Sequence, residues 1–341
     1  MQFDLIQSIE SLNNLAEEWN DLLTCCSASH VPFLRHEYLS TWWQTRGGGE
    51  WPESELYVVA GRQEDGELIG IAPLFFSPNM ELTPALLLLG SIEISDYLDL
   101  IIRSDAVAEF IEALFDWLDG NQVPEWQMLD WYNILENSPT LPAMKAAAER
   151  RGWAFHQDQL QHCPFINLPG DWDAYLEGIN KKQRHEIRRK MRRADAYPAP
   201  VRWYIVEDGS TLDQEIDTFF ELMAQDPEKD NFLTDVMRTQ MHAAARAAFE
   251  AGWLQLAFLK AGEKKVAGYL NFDFGGHIWV YNSGLDYRFS DLSPGWVLLG
   301  HLLKWANDNG RQYFDFMRGN EAYKYRFGAV DRFVVRATVR R

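Results

Sequence analysis

"LYVVAGRQEDGELIGIAPLFF" at residues 56–76 and "LQLAFLKAGEKKVAGYLNFDF" at residues 254–274 decide how this chain is built. Each reads as an apolar run, a polar turn and a second apolar run, which is the pattern of a β-hairpin. Laid together without a gap, Leu56 falls on Leu254, Val58 on Leu256, Leu68 on Val266, Gly70 on Gly268, Leu74 on Phe272 and Phe76 on Phe274. The turns coincide as well. The correspondence continues with gaps: a strand (97–102 and 278–284), an amphipathic helix (107–118 and 295–307), then a strand ending in an Asp-aromatic pair, "WQMLDW" at 126–131 and "QYFDF" at 312–316. One α/β unit used twice accounts for this order. The expected boundary lies in "FHQDQLQHCPF", giving domains 1–158 and 159–341.

The remaining bounds agree with two globular domains. A chain of 341 residues is long for one core. Its formal net charge of −18 argues against a whole-surface attraction to DNA or anionic lipid, because phosphate binding needs a basic footprint. The N-terminal "MQFDLIQSIESLNN" lacks the basic start and apolar core of a signal peptide, so a cytoplasmic location is expected. The most apolar window, 82–94, is interrupted by Pro84 and Gly90 and reads as buried strands, well short of the ~20 residues of a membrane helix. Three cysteines, Cys25, Cys26 and Cys163, make no staple framework and no CxxC pair, and the histidines show no metal-ligand spacing, so no metal is expected. Trp42 and Trp43 read as core residues.

Only the second half carries a concentrated positive charge. In "NKKQRHEIRRKMRRADAY", Lys or Arg occupies 181, 182, 184, 188, 189, 190, 192 and 193. At 3.6 residues per turn, Ile187, Met191 and Ala194 form one apolar stripe with Arg184 and Arg188 beside it, so the segment reads as a helix laid on the core by a thin seam. In so acidic a chain an anionic ligand finds this place attractive. A second anion site is expected where the strand 278–284 meets a helix entered through Ser293-Pro294, with Ser293 as N-cap and Asn309-Gly310 closing the helix. The next strand leads into "RGNEAYKYR" at 318–326, which packs an acid, cations and phenols together.

These stretches, with "AGYLNFDF", "FDFMRGNEAYKYRFGA" and the N-terminal "GIAPLFF", "LGSIEISDYLDLII" and "ENSPTLPAM", resemble the acetyltransferase-related proteins grouped with the cellulose-biosynthesis protein CelD. That group lies within the GNAT superfamily and is related to the Fem-type aminoacyl transferases. The resemblance implies tandem GNAT-like α/β domains with mixed central sheets flanked by helices, the first degenerate and the second holding an acyl donor, acetyl-CoA or another acyl-CoA. It places that donor against Asn282, Ser283, Gly284, Arg288, Ser293, Gly295 and Trp296. "RFSDLS" departs from the glycines usual in that loop, with Asp291 at the first of them.

Acyl transfer to an amine needs a base, an oxyanion donor and an acid for the leaving group. Glu321 is the expected base, Lys324 or Arg318 the cation, and Tyr323 the acid. Asp96 and Tyr97 in "SDYLD", with Arg184 and Arg188, are expected at the acceptor. The expected function is transfer of an acyl group to an amine or hydroxyl of a polysaccharide or cell-envelope precursor, in association with a membrane biosynthetic complex. The alternatives are a non-catalytic ligand-binding protein and a Fem-type transferase using aminoacyl-tRNA.

Overall fold

The computed structural model describes residues 1–120 and 125–341. In chain order its strands are β1 (Gln2–Ile6), β2 (Glu55–Arg62), β3 (Leu68–Pro78), β4 (Pro84–Leu88), β5 (Ile101–Ile102), β6 (Met128–Leu135), β7 (Ala154–His162), β8 (Phe165–Asn167), β9 (Val201–Ile205), β10 (Leu254–Ala261), β11 (Lys264–Phe274), β12 (His277–Leu285), β13 (Tyr313–Asp315) and β14 (Phe333–Arg340). The helices are α1 (Ile9–Asn14), α2 (Ala16–Thr24), α3 (His36–Gly49), α4 (Val107–Asp119), α5 (Thr140–Arg150), α6 (Trp172–Gly178), α7 (Lys181–Asp195), α8 (Leu212–Met223), α9 (Pro227–Phe232), α10 (Asp235–Glu250), α11 (Pro294–Asp308) and α12 (Ala322–Arg326). No described helix is long and apolar enough to cross a membrane.

Two compact units form, one of Met1–Gln161 with Arg332–Arg341 and the other of His162–Asp331. The last ten residues therefore join the first unit, not the second as the boundary drawn from the repeat implies. In the first unit the sheet order is β1-β2-β3-β4-β6-β14-β7, with β5 added to β3; in the second it is β8-β13-β12-β11-β10-β9. Both sheets are mixed. β4 pairs antiparallel with β3 and parallel with β6, and β12 pairs antiparallel with β11 and parallel with β13. A parallel pair needs a crossover, and α4 and α11 provide it.

This topology corrects the repeat in two places. The strand that matches β12 is β4, inside the apolar window 82–94; residues 97–102 yield only the two-residue β5. The hairpins also differ by one residue at the turn. Leu56 pairs with Phe75 whereas Leu254 pairs with Phe272, so Gly70 and Gly268 are not equivalent. A Cβ on Gly70 would run into Phe110 of α4, and one on Gly268 would touch Phe219 of α8. A one-residue slip turns a strand position to the other face of the sheet.

The gap beyond the β4–β6 pair is filled. After β4 the chain bends back, and Asn133 on β6 donates to the carbonyls of Ile92 (2.7 Å) and Ser95 (2.9 Å) while accepting from the Leu98 amide (3.0 Å). Tyr38 and Trp51 donate to the carbonyls of Ile94 and Ser91. Trp42 and Trp43 are buried beside Phe75.

Candidate functional site

In the second unit the matching gap is open. β12 and β13 pair at His277–Tyr313, Ile278–Phe314 and Trp279–Asp315 and then separate. Two local features part them. The register of β11 with β12 shifts so that Tyr281 is the extra residue of a bulge, and a bulge bends its strand. Beyond Asp315 the chain follows residues 162–164 instead: Phe316 donates to the Pro164 carbonyl and Gly319, at φ 107°, to that of His162, both at 2.9 Å.

Along the separated part of β12 the backbone alternates. Asp286 donates inward to the Val266 carbonyl of β11, so Ser283 and Leu285 turn their amides and carbonyls to the open edge. At Ser283 both groups are held: the amide by Asn282 Oδ1 (2.8 Å), the carbonyl by Lys229 Nζ (2.5 Å). Side chains alternate too. Gly284 faces α8, where a Cβ would lie 2.5 Å from the Met223 amide nitrogen. Ser283 and Leu285 face α11 and a cleft of about 320 Å³ whose lining includes Lys190, Tyr269, Ser293, Trp296 and Tyr323.

The cleft is cationic at one end. Pro294 opens α11 without an N–H. Ser293 stands at the N-cap position but adopts a left-handed conformation (φ 54°, ψ 56°), so its hydroxyl does not cap the helix as the sequence suggests. That hydroxyl instead accepts from Arg193 Nη2 at 3.0 Å. The first-turn amides therefore remain a ready anion site. Lys190 lies 4.0 Å above the Trp296 ring and 3.7 Å from Glu186; burial holds its pKa below the usual lysine range. Arg193 Nε and Trp296 Nε1 are buried without a hydrogen-bond partner among the described residues.

The basic helix thus brings Lys190 into the cleft lining and Arg193 onto Ser293 at its edge, rather than Arg184 and Arg188. Arg184 reaches the carbonyls of Leu176 and Glu177 at the end of α6, and Arg188 pairs loosely with Asp173 at the surface. The stripe from Ile187 through Met191 to Ala194 packs on α11, where Met191 Sδ lies 3.2 Å from a Cβ built on Gly300. Roll about that seam decides which flank faces the cleft, and periodicity leaves roll open.

Of the residues expected at the donor, Ser283, Ser293, Gly295 and Trp296 line the cleft. Asn282 caps its neighbour and Gly284 backs onto α8. Arg288 is bound bidentately by Asp286 (2.9 and 2.7 Å) with its side chain 75% exposed. Asp291 is exposed and outside the lining.

Residues 318–326 form a turn and the short helix α12. Tyr323 enters the cleft, and its phenol is held well above its ordinary pKa, chiefly by burial and then by Tyr269 and Glu321. It therefore stays protonated and can act as a hydrogen-bond donor. Transferring its proton outright to a thiolate of pKa ≈ 8.5 would be uphill. Lys324 is buried and turned inward: Nζ donates to the carbonyls of Phe316 (3.1 Å), Arg318 (2.9 Å) and Gly319 (2.9 Å) and pairs with Glu321 (2.9 Å). The sequence suggests an oxyanion cation; in the structure the ammonium spans the turn, bound to three of its carbonyls. Glu321 is 58% exposed and folds back over Gly319 toward that ammonium, and Arg318 is outside the cleft lining.

Asp96 and Tyr97 belong to the filled gap of the first unit. Both are buried, with Tyr97 at φ 57° beneath the Arg332 guanidinium, 4.6 Å from the ring centre. Tyr97 and Asp99 edge a cavity of about 150 Å³. Among the described residues no His, Cys, Asp or Glu group could hold a metal ion.

Sequence reasoning missed Lys190 and Arg193 as the cleft-facing cations, and it missed Lys229 entirely. Lys229 is a single lysine in a short polar helix, and no sequence signal marks it.

Residues 181–325 match the acetyltransferase (GNAT) domain family model. That GNAT segment contains α7, β12, α11, β13 and almost all of α12, hence both walls of the cleft. No curated protein sequence matches the chain. Among solved structures, FemX is similar over 99% of this chain and 97% of its own, with a TM-score of 0.69 and 14% identity. A conserved protein of unknown function from Bacteroides thetaiotaomicron VPI-5482 is similar over 100% of both chains (TM-score 0.58, 12% identity). L-PGS from Bacillus licheniformis covers 98% of this chain and 92% of its own (TM-score 0.56, 12% identity). At such identities the likeness concerns the fold. Two mixed sheets, each flanked by helices, are the architecture of tandem GNAT-like domains.

Proposed function

We propose that the chain is an acyltransferase whose second unit binds an acyl-CoA and passes its acyl group to an amine or hydroxyl. The observation that carries this reading is the parting of β12 from β13 beside the uncapped start of α11, all within the GNAT-matched segment. The donor's pyrophosphate fits the α11 amides together with Lys190 and Arg193, which supply from α7 the positive charge that a glycine loop usually supplies as amides. The thioester then lies along the open edge of β12, and Tyr323 faces the leaving sulfur. The first unit is a degenerate copy, since its corresponding gap is filled by residues 89–98. The resemblance to the CelD group supports a polysaccharide or cell-envelope precursor as acceptor.

Calorimetry with acetyl-CoA, longer acyl-CoAs and free CoA tests the donor. Binding that weakens by about tenfold or more in Lys190→Ala and Arg193→Ala, each removing one charge-assisted contact of about 1.5–3 kcal/mol, supports it. Arg288→Ala, whose guanidinium is already held by Asp286, should bind as the wild type does. No heat with any CoA would sink the CoA-dependent reading. One observation favours a non-catalytic binding protein instead: Glu321 is tied to Lys324, and no other carboxylate of the 318–326 turn is available as base. Saturable CoA binding without thiol release in the presence of any amine would decide for that alternative.

A further inference from the structure

Lys229 occupies a place that the function just described does not use. α8 packs on the face of the second sheet opposite α11, against Gly268 and Gly284, and α9 follows it after a few residues. From α9 the Lys229 side chain crosses the open edge of β12. Its ammonium lies 2.5 Å from the Ser283 carbonyl and 3.4 Å from the Ser283 hydroxyl, which faces the cleft on the α11 side. The ammonium therefore stands at the parted edge of β12, beside Ser283 and within the field of Glu321.

Its surroundings fix it there. Asp226 caps α9 through the amides of Glu228 and Lys229 and accepts from Tyr287, a residue of the cleft wall. Asp226 and Glu321 are the charged groups whose fields reach the ammonium, and both favour its charged form. Burial opposes them and is the larger influence, so the pKa is depressed and the group is a stronger hydrogen-bond donor than a solvated lysine. An ammonium has three donors; Ser283 takes two, and the third has no partner among the described residues.

We propose that Lys229 is a catalytic residue that donates this hydrogen bond to the acyl oxygen during transfer. The proposal rests on the donor reading above. A donor entering on the α11 side carries its thioester to this edge of β12, and an acceptor amine approaches from the α9 side. The nitrogen lone pair forms the C–N bond as the carbonyl π pair moves onto oxygen, where Lys229 stabilises the charge without giving up its proton. Collapse re-forms C=O, the C–S bond breaks with its electron pair leaving on sulfur, and the proton lost by the amine ends on the thiol through solvent. A cation preorganised in a partly dry site contributes most at the stage where charge develops.

The experiment measures acetyl-CoA binding by calorimetry and thiol release with hydroxylamine as the amine, corrected for the uncatalysed rate. Lys229→Met should bind acetyl-CoA within about threefold of wild type and release thiol about 10²–10³-fold more slowly. Lys229→Arg, which keeps the charge, should stay within about tenfold of wild type. Wild-type turnover in Lys229→Met overturns the proposal alone. Loss of binding together with turnover in Lys229→Met also overturns it, since the residue then only holds β12 in place. Failure of the wild type to bind acetyl-CoA overturns the donor reading itself.

Discussion

Replacing Lys324 by methionine separates a structural lysine from a chemical one. Methionine keeps an unbranched apolar stem in the same buried space but removes the ammonium, leaving the Phe316, Arg318 and Gly319 carbonyls without that donor. Hydrogen bonds to a charged group contribute about 1.5–3 kcal/mol each. Part of the sum is offset because a buried ammonium no longer has to be desolvated, and the pair with the 58%-exposed Glu321 adds little. The net expected loss is about 3–5 kcal/mol, the range for removing one partner from a buried charged cluster. With a urea m-value of about 2 kcal/mol/M, the midpoint of the second unit falls by about 1.5–2.5 M. Tryptophan fluorescence in urea measures it, and hydrogen exchange at 316–327 should show the turn opening first. A midpoint within about 0.3 M of wild type, combined with lost thiol release, would refute this reasoning and return Lys324 to the chemistry.

Asp99 is buried, donated to by Ser138 and the Leu100 amide, and burial raises its pKa to about 6. Its folded-state pKa exceeds the unfolded value, so the folded state binds the extra proton between pH 4 and 6 and stability falls as pH rises through that window. Relative to wild type, Asp99→Asn should gain up to about 3 kcal/mol between pH 4 and 7, read from urea midpoints. Gly284→Ala places a Cβ 2.5 Å from the Met223 nitrogen and 2.7 Å from the Leu222 carbonyl carbon, backbone atoms that cannot step aside. It should lower stability by about 1–3 kcal/mol, seen as a reduced Tm. Arg336 forks onto Asp130 (2.7 and 2.9 Å) and reaches Glu81; Arg336→Ala leaves a carboxylate with no exposure only the Asn79 amide as side-chain donor and should cost about 3–5 kcal/mol in denaturant unfolding of the first unit.

The repeat was legible because a hairpin writes itself as two apolar runs around a polar turn, and because α4 and α11 each carry a strong apolar face. What the sequence hid was register and roll. An ungapped match makes Gly70 and Gly268 look alike, yet the extra turn residue sends their missing side chains to opposite faces. The apolar window 82–94 reads only as buried strands, whereas the apolar run 97–102 aligns with 278–284 and so takes the place that belongs to β4. The basic segment announced an anion site, but packing of Ile187 and Ala194 on α11 selects Lys190 and Arg193. Lys324 looked catalytic because its neighbours are polar, and only three converging carbonyls reveal its task. Lys229 is invisible without the open edge of β12.

β14 lies between β6 and β7, so the sheet of the first unit is built from the two ends of the chain. During synthesis, residues 1–161 emerge with β6 and β7 facing a vacant lane, each offering unpaired amides and carbonyls. The intervening 170 residues of the second unit must be made before residues 333–340 can close it. The unit that begins first is thus completed last during synthesis.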